Sequence, residues 1–294
     1  MVVISAPDSG KLRPRTSPIV VKTSGVGVFD ELLEAGVLAV RRAHGLTIFW
    51  DVDAPATLDR VHANPSDPFN QLIPKYDLIL TYGGGDPVVN AYQACGAKRC
   101  VPIYNALDPE THFRVDDDSR FRADLGFLGN RLPDRETRVD EFFFKAAEQL
   151  PERSFLLGGN GWADKPMPQN VRYVGHVYTR DHNAFNRSPL AVLNISRESM
   201  ARYGFSPATR VFEAAGAGAC LITDAWEGIE LFLEPGLEVL TAVNGDDVAE
   251  IVGALRPDRA RLIGAAATAR VLAEHTYDRR VEQLEALLAV EISD

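Results

Sequence analysis

Residues 203–240 read YGFSPATRVFEAAGAGACLITDAWEGIELFLEPGLEVL, and this stretch decides the fold class. The pair Ser206-Pro207 predicts the start of a helix, because a serine side chain can cap free backbone amides and proline fits the first helical position. We expect the helix to run from about Pro207 to Ala217. The apolar segment 219–223 then has the character of a strand buried in a parallel sheet. A helix followed directly by such a strand indicates an α/β fold.

This helix carries only two charged residues, Arg210 and Glu213, which lie three positions apart and therefore share one face. A helix so poor in polar residues should be buried over most of its surface, and a buried carboxylate needs partners. Two interpretations are open. The pair is either purely structural, or Glu213 accepts hydrogen bonds from the vicinal hydroxyls of a ligand such as ribose. In the second interpretation Arg210 and the helix N-terminus at Ser206 hold an anion.

Strands and helices alternate over most of the chain, which implies right-handed βαβ units and parallel sheets. The predicted strands are 19–22, 46–50, 78–80, 99–104, 124–128, 155–157, 171–174, 190–195 and 219–223. The predicted helices are about 29–43, 87–94, 134–149 and 207–217, with helical structure again over 248–290. Residues 1–18 are expected to form a frayed lead-in.

Composition excludes several classes of protein. The 294 residues are 46% hydrophobic and 24% charged, as in a soluble globular protein long enough for two domains. The net charge of −10 argues against a nucleic acid or an anionic membrane surface as the main partner. No apolar run approaches the ~20 residues that span a bilayer, and the N-terminus does not have the pattern of a signal peptide. Cys95, Cys100 and Cys220 form neither a disulfide framework nor a zinc pattern. A cytoplasmic location is therefore predicted.

A family resemblance is carried by RVFEAAGAGACLITD (210–224) followed by GIELFLEPGLEVL (228–240). These residues resemble the C-terminal, donor-binding half of GT-B glycosyltransferases of the glycosyl transferase group 1 (family 4-like) type. The likeness is greatest to the spore-maturation (CgeB-type) branch. Its pattern is R-x-F-E-A, small residues, a glycine, an apolar strand and an aspartate, then G-x-E before E-P-G-x-E-V.

The resemblance implies two facing Rossmann-like domains with parallel sheets. It also implies transfer of a sugar from a nucleotide-sugar donor to an acceptor, without a bound metal or any cofactor beyond that co-substrate. On this likeness Glu213 corresponds to the glutamate that binds the ribose, and Glu230 lies in the segment that closes the donor site. The acceptor, whether glycan, protein or small molecule, is not indicated, and neither is the sugar.

One position departs from the family pattern. Many relatives with retaining chemistry carry a second glutamate eight positions before the ribose-binding one, and this chain has Phe205 there. The resemblance therefore fixes neither catalytic competence nor the stereochemical outcome of transfer.

The predicted domain organisation follows the same likeness. Residues 1–122 form an acceptor-side Rossmann-like domain that includes a polar linker over 105–122, and residues 123–277 form the donor-binding domain. The helix at 278–294 could cross back to the first domain. Only about four strands precede residue 105, fewer than in a complete GT-B domain, so we expect the first strands and helices to be missing. A first domain of five to seven strands would contradict that expectation.

Three further features are candidate donor contacts, because ligands of open α/β sheets bind at the carboxyl ends of strands. Arg131 follows a strand and, on the resemblance, matches a basic residue set against the donor diphosphate better than Arg135 does. Gly159 and Asn160 belong to a glycine-rich turn that lets the backbone approach a ligand closely. His176 ends another strand, in a loop that lines the nucleotide pocket in the resembling family. Solvated arginines, an ordinary turn and a structural histidine are the alternative interpretations.

Two features of the first half could bear on the acceptor. Asp51 and Asp53 follow the strand LTIFW, and closely spaced carboxylates can differ in pKa as acid–base chemistry requires. Asp53 is the candidate base for an inverting transfer; the alternative is an N-cap for the following turn. Gly83-Gly84-Gly85-Asp86 could approach a phosphate, or could be a βα turn capped by Asp86 with Pro87 in the first helical position.

Two other functions are compatible with the sequence. Gly25-x-Gly27-x-x-Asp30, with Asp51 at the end of the next strand, imitates a dinucleotide fingerprint and hence an NAD-linked oxidoreductase. Asp30 stands in place of the third glycine and would repel a pyrophosphate. A non-catalytic GT-B-like protein that binds a nucleotide or an assembly partner is the other alternative, and Phe205 favours it.

Overall fold

A computed structural model describes residues 19–25, 29–41, 45–133 and 135–293, with the backbone alone over 290–293. The predicted lead-in at 1–18, the predicted fingerprint residue Gly27 and the predicted helix start at Asp134 lie outside the described residues. The chain forms two compact units. The first comprises residues up to Tyr104, together with Tyr203–Ser206 and Val281–Asp294, and the second comprises Asn105–Arg202 and Pro207–Arg280.

In the described part of the chain ten strands form two sheets, and every strand pair within them is parallel. The strands are β1 Ile19–Thr23, β2 Leu46–Asp51, β3 Leu78–Thr81, β4 Cys100–Pro102, β5 Leu125–Leu128, β6 Phe155–Gly158, β7 Val171–Tyr173, β8 Ala191–Asn194, β9 Leu221–Asp224 and β10 Leu240–Ala242. The first sheet has the order β1-β2-β3-β4, and the second has the order β10-β9-β8-β5-β6-β7. The predicted α/β class with parallel sheets is confirmed.

Eleven helices are described. They are α1 Asp30–Ala39, α2 Ala54–Ala63, α3 Gly85–Ala94, α4 Glu136–Val139, α5 Lys145–Gln149, α6 His182–Arg187, α7 Glu198–Tyr203, α8 Thr209–Gly216, α9 Gly245–Ala254, α10 Pro257–Glu274 and α11 Tyr277–Ser293. None of the helices in the described part of the chain is both long and apolar enough to cross a bilayer.

The sheet of the first unit is buried on both faces. Phe49 and Ile79 contribute to the core on one face, where α1, α2 and α3 add buried apolar residues. Ile48 and Leu78, one position away in the same strands, lie on the other face with Leu287 of α11. The alternation follows from the two-residue period of a strand. Residues 281–294 thus belong to the unit that contains the first sheet, and residues 105–122 to the unit that contains the second.

In the second unit a π-helical turn, Asp140–Phe144, joins α4 to α5. It includes Phe142, Phe143 and Phe144, and all three consecutive rings are buried in one core. An α-helix separates consecutive side chains by about 100°, so three adjacent aromatic residues do not fit one narrow apolar face. The wider π turn occurs where that regular register is interrupted. The predicted single helix over 134–149 is therefore three short segments.

The stretch that decides the fold class contains one local error of prediction. The helix begins at Thr209 instead of Pro207, and Ala208 occupies the N-cap position without a side-chain hydrogen bond. Ser206 does not cap it, because the Ser206 hydroxyl donates to the carbonyl oxygen of Gly204 at 2.8 Å. The following strand, β9, begins at Leu221, two residues later than predicted. Helices α2, α6 and α7 were not predicted, and α1, predicted to run from about residue 29 to 43, ends at Ala39.

Candidate functional site

Three loops at the carboxyl edge of the second sheet are joined by backbone hydrogen bonds. The amide of Gly129, after β5, donates to the carbonyl of Gly158 at 3.0 Å, and the amide of Arg131 donates to the carbonyl of Asn160 at 2.9 Å. The amide of Gly159, after β6, donates to the carbonyl of Gly175, after β7, at 2.8 Å. Strand order β5-β6-β7 makes the three loops neighbours. The structure therefore brings together the predicted residues of all three loops.

Gly159 and Asn160 lie at the centre of this arrangement. Gly159 has φ +119°, and a β-carbon there would collide with the carbonyl oxygen of Gly129. The amide of Asn160 donates to Oδ1 of Asn130 at 2.8 Å, and Nδ2 of Asn160 lies 3.3 Å from Nδ1 of His176. Glycine at 159 is thus required by both the backbone conformation and the close approach of two loops. The side chains of Asn160 and His176 are held side by side at the strand ends.

We expect Gly159→Ala to lower the free energy of unfolding by about 3 kcal/mol, because a left-handed backbone and a steric collision combine. Gly175→Ala is the matched control, since Gly175 also has positive φ, +72°, but open space where a β-carbon would lie. It should cost about 1 kcal/mol. Urea unfolding followed by circular dichroism measures both losses. Equal losses would show that the loop approach at Gly159 is relaxed in solution.

Arg131 is engaged with two carboxylates. Its guanidinium lies 3.0 Å from Oδ1 of Asp164 and 2.7 Å from Oε1 of Glu136. The hydrogen bond from Arg131, followed by that from Lys165, lowers the pKa of Glu136 to about 2. Arg135 donates to the carbonyl oxygen of Asn130 at 2.7 Å. An anionic ligand at Arg131 would have to share the guanidinium with these acids.

Trp162, in the loop after β6, is a core residue. Its side chain is fully buried, and its indole nitrogen donates to the carbonyl oxygen of Gly129 at 2.8 Å. Its ring lies 5.9 Å from the ring of Phe144 and 6.5 Å from that of Phe127. The indole therefore ties the loop after β6 to the loop after β5 and to the core beneath them.

Glu213 lies between the side chains of Arg210 and His112. Its Oε2 is 3.2 Å from NH1 of Arg210, and its Oε1 is 3.5 Å from Nε2 of His112. The side chains of Glu213, Arg210 and His112 are 17%, 21% and 11% exposed. Burial lowers the pKa of Arg210, and the charge of Glu213 opposes that shift. The structural Arg210–Glu213 ion pair is therefore present. Each oxygen of this largely buried carboxylate has one contact with a neighbouring side chain.

His112 and His182 were not identified as close to Glu213 from sequence. Their rings stack with centroids 6.4 Å apart, and Nε2 of His182 lies 3.2 Å from the carbonyl oxygen of Val177. Burial and then the charge of Arg210 lower the pKa of His182. His112 lies in the segment predicted as a polar linker, where nothing in the local pattern indicates a buried partner for a glutamate one hundred residues later.

A second buried ion pair at the same edge was also missed. NH2 of Arg138 lies 2.6 Å from Oδ2 of Asp224, which is fully buried at the end of β9. The other carboxylate oxygen accepts from the amide and hydroxyl of Ser196 at 3.0 and 3.1 Å, and Nε of Arg138 donates to the Ser196 carbonyl at 3.1 Å. This network connects the ends of β8 and β9 with α4. The pair could have been predicted from Asp224, because an aspartate buried at the end of a strand needs a cation as its partner.

The first unit contains the predicted carboxylate pair in unequal environments. Asp51 is fully buried and accepts hydrogen bonds from the side chains of Ser24, Thr57 and Tyr92 and from the amide of Asp53. Burial raises the pKa of Asp51, against the effect of those hydrogen bonds. Asp51 is therefore not presented to a ribose, as the dinucleotide fingerprint would need. Asp53 is partly exposed at the N-cap position of α2, but its side chain makes no capping hydrogen bond.

The predicted βα turn at residues 83–86 is corrected in detail. Helix α3 begins at Gly85, and its N-cap is Gly84 with φ +92°, so neither Asp86 as the cap nor Pro87 in the first position was right. The amide of Gly84 donates to the carbonyl of Phe205 at 2.8 Å. Phe205 itself has φ +46°, and a β-carbon on Gly85 would lie 2.6 Å from its ring. Phe205, which stands where the resembling family has its first glutamate, thus has a left-handed backbone conformation and packs closely against the glycine turn.

The two remaining predicted positions, Glu230 and Ser206, differ in burial. Glu230 is exposed in the middle of a 3-10 turn, Ile229–Leu231, which follows Gly228 with φ +89°. Ser206 is buried in the first unit, where a β-carbon on Gly83 would lie 2.9 Å from its hydroxyl oxygen. Among the residues described, no group of three or more His, Cys, Asp or Glu is placed to hold a metal ion.

Comparison with known proteins gives the family. A profile of the family described as glycosyl transferase-like matches residues 135–286, just over half of the chain. The chain belongs to this family. The matched region contains Glu213, Arg210 and the Arg138–Asp224 pair, and it leaves Arg131 and Asp53 outside. A search of curated proteins finds no match.

Solved structures of low sequence identity share the fold. Anabaena Alr3699/HepE in complex with UDP-glucose is 12% identical, with a TM-score of 0.65, over 89% of this chain and 76% of that one. The sucrose-phosphate synthase of Thermosynechococcus elongatus is 12% identical, with a TM-score of 0.67, over 94% and 74%. The T4 phage BGT in complex with its UDP-glucose substrate is 13% identical, with a TM-score of 0.59, over 92% and 80%. The two parallel sheets are those of the GT-B fold.

Proposed function

We propose that this protein transfers a sugar from a nucleotide-sugar donor to an acceptor without a bound metal, and that the donor nucleotide binds at the carboxyl edge of the second sheet. The observation that carries the proposal is the largely buried Glu213, held between Arg210 and His112 inside the region that matches the family. The R-x-F-E-A pattern around it is our reason for proposing the spore-maturation (CgeB-type) branch within that family.

Glu213 has the capacity for a ligand in addition to its ion pairs. An ionised carboxylate has about four lone-pair sites, and Arg210 and His112 contact one oxygen each, at 3.2 and 3.5 Å. The remaining sites suit the two vicinal hydroxyls of a ribose. Arg210 and His112 then act as positioning residues, because both fix the carboxylate and Arg210 balances its charge in a largely buried place.

The donor diphosphate is proposed to bind near the N-terminal turn of α8 and the loops after β5, β6 and β7. Arg210 and backbone amides would supply the charge that stabilises the leaving diphosphate, which is the task of a metal in other transferases. Arg131 could take part, because its partner Asp164 is 79% exposed and such pairs contribute little free energy. Gly159, Asn160, His176 and Glu230 are the other proposed donor contacts, and Asp53 is the proposed base on the acceptor side.

The first test is thermal stabilisation by UDP, GDP, ADP, dTDP, CMP and NAD. A ligand at one hundred times its Kd stabilises the native state by about 2.7 kcal/mol, which raises the melting temperature by several degrees. We expect one nucleoside diphosphate to do so and Glu213→Gln to weaken its binding about tenfold or more. Glu250→Gln, at an exposed site, is the control. Unchanged binding by Glu213→Gln would remove Glu213 from the site, and stabilisation by NAD alone would favour an oxidoreductase.

Phe205 favours a second candidate function, a non-catalytic GT-B-like protein that binds a nucleotide. An aromatic ring stands where many relatives carry a glutamate, and the chain holds it in a left-handed conformation. Incubation with the nucleotide sugar selected above distinguishes the two functions. Release of the nucleoside diphosphate, by transfer or by hydrolysis, supports the transferase, whereas tight binding without release supports the second candidate.

A further inference from the structure

The amino edge of the second sheet, opposite to the donor edge, contains two cavities. The first, of about 430 Å³, is lined by residues that directly precede four strands, namely Asp124, Ser154, Leu190 and Cys220. The second, of about 600 Å³, lies beside α10. Arg187, Gly218 and Arg261 line both cavities, so the two form one continuous depression, which we call the amino-edge groove.

Arginine is the most frequent charged residue in the lining of this groove. The arginines are Arg114, Arg122, Arg187 and Arg261. Three acids also line it. Asp124 is occupied by the amide and hydroxyl of Ser154 and by Arg153, at 2.8 to 3.0 Å. Asp117 lies 3.7 Å from Nε of Arg187, which leaves Asp258 to balance the other arginines. The arginines of the lining thus outnumber its acids by one, in a chain with a net charge of −10.

Arg187 is held in the wall of the groove. Its side chain is only 16% exposed, and Oδ1 of Asp117 lies 3.7 Å from its Nε, which is buried and makes no hydrogen bond among the described residues. The Arg114 side chain lies 3.7 Å from the position that a β-carbon on Gly218 would occupy. Arg114 and Arg187 therefore both belong to the part of the lining around Gly218.

We propose that the amino-edge groove binds a small molecule that carries at least one phosphate group. Guanidinium groups form paired hydrogen bonds to the oxygens of such a group and are the side chains best suited to it. Each cavity has the volume of a small-molecule site, which is larger than a free phosphate needs. This groove lies in the second unit, at the edge of the sheet opposite to the proposed donor site. The proposal is therefore separate from the proposed function and does not depend on it.

Binding of inorganic pyrophosphate, measured by isothermal titration calorimetry at low salt, tests the proposal. Arg114 and Arg261 are exposed, so the double variant Arg114→Gln/Arg261→Gln should fold as the parent does. We expect it to bind the probe about tenfold or more weakly, because two charged contacts are lost. Arg180→Gln, at a site 82% exposed and outside the groove, is the matched control and should bind as the parent does.

Three outcomes would overturn the proposal. The parent protein could fail to bind pyrophosphate, or the double variant could bind it as tightly as the parent, as expected if the donor edge is the binding site. In a parallel arm, vesicles of phosphatidylserine and phosphatidylcholine could capture the parent but not the double variant while pyrophosphate gives no heat. That result would assign the arginines to a membrane surface. Binding of pyrophosphate that requires Arg114 and Arg261 but not Arg180 supports the groove.

Discussion

Arg138→Met is expected to lower the free energy of unfolding by about 3–5 kcal/mol, the cost of leaving a buried carboxylate without its cation. Asp224 is fully buried, and the Arg138 guanidinium is 2.6 Å from it. Methionine keeps much of the aliphatic length of arginine, so the loss reports charge and hydrogen bonding more than packing. Urea unfolding followed by circular dichroism measures it.

Two controls make this result specific. Arg131→Met removes an arginine that is paired with two solvent-accessible carboxylates, Glu136 at 27% and Asp164 at 79% exposure, and should cost about 1 kcal/mol. The double variant Arg138→Met/Asp224→Asn removes both charges while the asparagine oxygen can still accept from Ser196, so it should recover at least half of the loss. A double variant no more stable than Arg138→Met would mean that the charge of Asp224 is not the source of the effect.

Trp162→Ala is expected to have an effect of similar size, about 3–5 kcal/mol, because it empties a large space in the core. The indole is fully buried against Phe144 and Phe127. It also donates to the carbonyl of Gly129 in the loop after β5. Alanine therefore removes both the packing and the bond that fixes two loops of the candidate donor site.

Trp162→Phe separates these two contributions. Phenylalanine fills most of the space but cannot donate a hydrogen bond, so the loss should be about 1–2 kcal/mol from the unsatisfied carbonyl and the smaller ring. Nucleotide binding by this variant should weaken if the loop position matters, since the Gly129 and Gly159 loops would lose one tie. A loss as large as that of alanine would show that the hydrogen bond, and not the packing, dominates.

The sequence predicted what depends on local pattern. Apolar runs of strand length located nine of the ten strands, and glycines and polar residues after β5, β6 and β7 predicted loops that do meet. Strand ends of a parallel sheet lie at one edge, so this inference needs no knowledge of distant contacts. Glu213 was found for a similar reason, because a carboxylate on an apolar helix needs a partner wherever that helix packs.

What the sequence could not predict depends on pairing between distant segments. His112 reaches Glu213 from a segment that reads as a linker, and Arg138 reaches Asp224 across 86 positions. Neither residue has a local signal of its partner. The prediction that Ser206 caps α8 was wrong for the opposite reason. The local signal was strong, but the Ser206 hydroxyl donates to the Gly204 carbonyl and the helix begins at Thr209. Tertiary contacts thus outweighed the local preference of serine for the N-cap position.

The order of strands in the second sheet has a consequence for synthesis. Strand β5 is the first of that sheet to be made, yet it lies fourth in the order β10-β9-β8-β5-β6-β7. The nascent chain can add β6 and β7 to one side of it, while the other side has no partner until β8 is made. At about 5–20 residues per second, the 62 residues between β5 and β8 take roughly 3–12 s. For that interval an apolar strand with an unpaired edge is exposed on the ribosome, and edges of this kind recruit other chains. The sheet grows outward from its middle, so its greatest risk of aggregation falls while residues 129–190 are being made.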